Sequence, residues 1–93
     1  MLDSSGEAVH FTRMLLPSQV RAARALLGWP RVKLAKESGV PLGTLADFES
    51  GRSAYSKSIG KLVRTFDKAG VELLYDHQDG KGAGARFKAP QGG

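Results

Sequence analysis

Cysteine is absent from all 93 residues, so neither a disulfide nor a thiolate-ligated zinc site can staple this chain. Long apolar runs are absent too. Nothing approaches the roughly 18 consecutive apolar residues of a spanning helix, and no membrane partner is expected. The N-terminus carries Asp3 and Glu7 without a basic segment leading into an apolar stretch. No signal peptide is expected, and the simplest location is cytoplasmic. Histidine occurs only at His10 and His77, outside the most patterned part of the sequence, so neither is expected to bind a metal or act as a base. Asp47 and Glu49 stand two apart, a spacing that does not bring helical side chains face to face. The glycine-rich stretch Asp79-Gly80-Lys81-Gly82-Ala83-Gly84 lacks the spacing of a phosphate-cradling loop and reads as a turn. No enzymatic activity, cofactor, metal or small-molecule substrate is expected.

The residues that are present support one small core, with 41% hydrophobic content. The net charge of +5 is unevenly placed. Residues 1–16 carry a net of −1 and residues 71–93 a net of zero. Residues 17–70 carry ten Lys and Arg against Glu37, Asp47, Glu49 and Asp67, a net of +6. Positive charge gathered on one body is the electrostatic footprint of phosphate binding.

Three parts follow from the pattern. Residues 1–16 form an extension in which Val9, Phe11, Arg13 and Leu15 alternate with their neighbours, a weak strand signal or a mobile arm. Residues 17–70 form a helical body, and residues 71–93 a hairpin and tail. Ser18 is expected to cap a first helix running to Leu27, with Val20, Ala23 and Leu27 on one face. Gly28 stops it, and Trp29 anchors the junction. A second helix is predicted over 30–38, a third over 41–49, and a fourth from Ser56 or Lys57 to Ala69. Ile59, Leu62, Val63 and Phe66 form the buried stripe of the fourth. Val71 to Tyr75 and Ala85 to Lys88 read as the strands of a hairpin, which is marginal unless it packs on the helices or pairs with another chain. The fold class is therefore mainly α, a four-helix body with a C-terminal β-hairpin.

Residues 34–52, LAKESGVPLGTLADFESGR, carry the functional signal. Gly39 sits where a left-handed turn costs little only without a side chain. Val40 is an apolar plug, Ala35 is small where two helices approach, and Leu34, Leu45 and Phe48 point inward. This is the spacing of a helix-turn-helix.

With RAARALLGW at 21–29, LAKESGV at 34–40, TLADFESG at 44–51 and Ala69-Gly70-Val71-Glu72, the body resembles the lambda Cro/repressor type of helix-turn-helix regulator, the XRE family. The likeness covers roughly residues 16–75 and fits short bacterial members that end in a β-hairpin. It implies a double-stranded DNA operator as partner. Arg31 and Thr44 then match phosphate-binding positions, with Arg52 and Lys57 in the segment tracking the backbone after the third helix. Leu42, Gly43 and Asp47 fall at base-reading positions. Arg24 and Glu49 match an ion pair between the first and third helices.

The departures are specific. Leu42, Gly43 and Asp47 include none of the bidentate readers Arg, Lys, Asn or Gln. Leu42 suits a thymine methyl, and Asp47 suits cytosine N4 but repels phosphate. Pro41 replaces the usual hydroxyl cap, and Gly43 weakens the first helical turn. One explanation is close backbone approach with specificity from DNA shape. The other is a protein-interaction module, such as an antiactivator or antitoxin, with reduced DNA binding. The first is favoured by the cations retained at 31, 52 and 57. Symmetric operators pair with symmetric proteins, so a homodimer is expected, held by Val71, Leu73, Tyr75 and Phe87 of the hairpin.

Overall fold

Pro17 opens the first helix, because a missing N–H costs nothing in a first turn. The computed structural model describes residues 14–52, 56–76 and 81–91. Both histidines, the loop at 53–55, the turn residues Asp79 and Gly80, and most of the proposed arm at 9–15 lie outside these residues. Four helices precede two strands: α1 (Pro17–Leu27), α2 (Arg31–Ser38), α3 (Leu42–Glu49), α4 (Ser56–Lys68), β1 (Val71–Leu74) and β2 (Gly84–Phe87). The fold is mainly helical with a C-terminal antiparallel hairpin, as the sequence pattern predicts.

The N-terminal cap of α1 differs from expectation. Leu16, not Ser18, is the capping residue, and Ser18 is exposed inside the helix. The Leu16 N–H donates to Gln19 Oε1 at 2.8 Å, so the third helical residue reaches back to satisfy the N–H of the capping residue, and no side chain caps the helix from outside. Gln19 is 1% exposed and does more. Its amide nitrogen donates to the Leu74 carbonyl at 2.8 Å and the Gly84 carbonyl at 3.2 Å, fixing the hairpin to α1. Pro30 and Pro41 each stand one residue before their helix in extended conformation, and their carbonyls accept from Leu34 and Leu45.

Gly28 and Gly39 end α1 and α2 with φ of 68° and 79°, the left-handed region in which a side chain is strained. The core joins Leu15, Val20, Ala23, Leu34, Val40, Leu45, Phe48, Leu62, Phe66 and Val71. Leu15 thus packs with the body, although it precedes α1. Ile59 and Val63 complete the stripe of α4 as half-buried neighbours of that core, and Ala35 and Trp29 pack against it as well.

In the hairpin Val71 pairs with Phe87, Glu72 with Arg86, Leu73 with Ala85 and Leu74 with Gly84. The period of two sorts these residues by face. Val71, Leu73, Ala85 and Phe87 pack on the helical core, while Glu72 and Arg86 form an exposed ion pair at 2.9 Å. Lys88 N–H extends the pairing to the Gly70 carbonyl at 2.9 Å.

Candidate nucleic-acid interface

The two faces of α3 are chemically distinct. Leu45, Phe48 and Glu49 are buried, whereas Leu42, Gly43 and Asp47 are exposed on the outside. Leu42 is 46% exposed, a large aliphatic group offered to solvent at the start of the helix. Thr44 is half-buried in the same turn, with no hydrogen bond from its hydroxyl among the described residues. Three of the sequence-assigned contact residues therefore share one outward surface, with Thr44 at its margin.

Glu49 fixes the orientation of that surface. Its side chain is 1% exposed and accepts from Arg24 twice, Nε to Oε2 and Nη2 to Oε1, both at 2.9 Å. This fork-to-fork geometry sets the angle between α1 and α3. Arg24 also donates to the Trp29 carbonyl at 3.1 Å, tying in the junction before α2. Arg21 donates to the Glu49 backbone carbonyl at the end of α3. The Arg24–Glu49 pair was legible in the sequence. Arg21 was not, although its position one turn before Arg24 on the same helix is the signal that would have found it.

Arg31 joins this cluster. Its Nε and Nη2 lie 3.4 and 3.3 Å from Glu49 Oε1, long contacts on a side chain that remains partly exposed. One carboxylate thus faces two guanidiniums in side-chain contact, with a third on its backbone. The cluster keeps an excess of positive charge at the first turn of α2, where a phosphate is expected. Arg52 is held differently. Its Nη1 lies 3.1 Å from Asp47 Oδ1 in an exposed pair, and its N–H donates to the Asp47 carbonyl at 2.9 Å. The acid expected to repel phosphate is therefore paired within its own chain. Lys57 is exposed at the start of α4, with no ion pair among the described residues.

Gly43 has no internal reason to be glycine. It lies within the helix, and a Cβ built there meets nothing within 4 Å. Ala at this position should stabilise the fold by about 1 kcal/mol, the difference in helix propensity. If the empty space is kept for close approach of DNA, Gly43→Ala should at the same time weaken DNA binding. Paired denaturation and binding curves check this, and a variant that is stabilised yet binds equally well removes the close-approach explanation.

The helix-turn-helix family matches residues 20–73, more than half of the chain. The chain belongs to the Cro/repressor-type helix-turn-helix family. In general terms it is a DNA-binding transcription regulator. No curated protein matches it. Among the described residues no helix is long and apolar enough to cross a membrane, and no cluster of side chains is arranged to hold a metal ion.

Proposed function

We propose that this regulator binds a specific double-stranded operator by inserting α3 into the major groove, as a dimer on paired half-sites. The observation that carries the reading is the two-faced α3. Its inner face is locked by Glu49 and the core, and its outer face presents Leu42, Gly43 and Asp47 with no covering element among the described residues. Leu42 is suited to a thymine methyl, and Asp47 to a cytosine amino group. Because Asp47 already holds Arg52, the two act as a unit: the acid orients the guanidinium, and the guanidinium lowers the cost of bringing the acid near phosphates.

Arg31, Thr44, Arg52 and Lys57 are the proposed phosphate contacts. The proposed dimer uses the hairpin. Val71 is fully engaged in its own core, so contact with a second copy falls to the margins of Leu73, Tyr75 and Phe87 and to the edges of the sheet, which are unpaired among the described residues. A two-fold axis through such an edge would set the half-site spacing.

Salt dependence tests the phosphate assignments. Replacing Arg52 or Lys57 by Ala should weaken operator and random duplex alike and reduce the salt slope by about 1. Arg31→Ala should do the same with a small loss of stability, because it also removes a partner of Glu49. Unchanged slopes in all three variants would take these residues out of the interface.

A further inference from the structure

A second set of cations lies away from the surface that α3 would turn to DNA. Arg24 and Arg31 are held by Glu49, and Arg52 by Asp47. On α4, by contrast, Lys61, Arg64 and Lys68 follow one another at intervals of three and four residues. That spacing puts them on one helical face, along about 10 Å of axis. None has a carboxylate in ion-pair range among the described residues. Lys61, Arg64 and Lys68 form one wall of a groove of 460 Å³ whose other side is made by Trp29, Glu37 and Ser38. Lys33 lies 3.7 Å from Glu37 and 5.3 Å from the centre of the Trp29 ring, so the acid on that wall is already matched.

We propose that this groove between α2 and α4 docks an acidic amphipathic helix from a partner protein. The occupant is elongated, because the groove is open and the cations along it are half-buried or exposed. It is helical, because the ridge of a third helix fits the furrow between two packed helices. Carboxylates repeating at three and four residues would meet Lys61, Arg64 and Lys68 in register, with an apolar side chain against Trp29 and Ala69. A duplex is a poorer fit. α2 packs against both α3 and α4 and stands between the reading helix and this groove. Among the described residues a second copy is a poorer fit as well, because Glu37, Asp47, Glu49, Asp67 and Glu72 already hold cations of their own and Asp76 is the one remaining acid. The proposal does not depend on operator binding, and a regulator with both surfaces would hold DNA and a protein together.

Trp29 is the only tryptophan, so its fluorescence reports the groove directly. The probe is a capped synthetic peptide of about 14 residues, long enough to form helix on docking, with Glu at intervals of three and four and Leu beside them. Its control has the same composition in scrambled order. The full chain should show a saturable change in Trp29 emission with the ordered peptide and at least tenfold weaker binding of the scrambled one. Arg64→Glu, at an exposed position, should weaken the ordered peptide severalfold. The combined Lys61→Glu, Arg64→Glu, Lys68→Glu variant should abolish binding while keeping the helical circular dichroism. Equal binding of both peptides, or no saturable change, overturns the proposal. So does an Arg64→Glu variant that loses DNA affinity as Arg52→Ala is expected to, since the stripe would then belong to the DNA interface. A wild-type chain that binds the ordered peptide but no duplex would contradict the operator reading and leave this one standing.

Discussion

Glu49→Ala should cost about 3–5 kcal/mol of stability, the range seen when one member of a buried ion pair is removed. The side chain is almost completely enclosed, and its loss strands the largely buried Arg24 guanidinium without a counter-charge. Arg31 loses its tether at the same moment. In a domain of this size each kcal/mol moves the melting temperature by about 4–8 °C, so a fall of more than 10 °C is expected. DNA affinity should fall further than the unfolded fraction explains, because α3 loses its bond to α1. Glu49→Gln, which keeps the shape and removes the charge, separates packing from electrostatics. A Glu49→Ala protein with a wild-type melt would show that the pair is incidental.

Phe66→Ala should be about as damaging, at about 3–5 kcal/mol. Phe66 is fully buried on α4 and packs in the same cluster as Leu34 of α2 and Val71 of β1. Truncation opens a cavity where the helical body meets the hairpin. Total stabilities of small domains are only about 5–15 kcal/mol, so part of the population should be unfolded at physiological temperature. Urea denaturation followed by circular dichroism measures this. A change below about 1 kcal/mol would mean that the hairpin and α4 are not held through this core.

The parts of the fold that were legible in the sequence are those with local causes. Gly28 and Gly39 mark helix ends through backbone sterics, and Leu62 and Phe66 mark a buried face through a period of 3.6 residues. The hairpin followed from alternation at Val71, Leu73, Ala85 and Phe87. The start of α1 departs from its local pattern because Ser18 has the chemistry of a cap, whereas the bond at this helix end runs from the Leu16 N–H to the Gln19 side chain. The second role of Gln19, bonding carbonyls at Leu74 and Gly84, joins residues 55 and 65 positions apart and leaves no local trace.

The candidate site is legible to the same limit. The ion pair between Arg24 and Glu49 forms, and Leu42, Gly43 and Asp47 are exposed on α3, which is a position and not a contact with DNA. Neither the third guanidinium at Glu49 nor the coupling of Asp47 to Arg52 follows from periodicity, because the first depends on how α1 meets the end of α3 and the second on the turn that closes α3. That coupling alters the meaning of the most awkward residue on α3. An acid that looked repulsive to DNA belongs to a neutral pair beside a cationic cluster.

The most direct test of the central claim is selection of duplexes from a random pool by the full-length chain, followed by binding of the selected sequence to Leu42→Ala and Asp47→Ala. The account predicts enrichment of one motif with two symmetry-related half-sites about one helical turn apart. Each substitution should shift preference at particular base pairs by about 1–3 kcal/mol, with random duplex bound nearly as before by Leu42→Ala and altered for Asp47→Ala only to the extent that Arg52 loses its partner. Failure to enrich any motif, or substitutions that weaken matched and mismatched duplexes equally, would contradict the claim that α3 reads DNA.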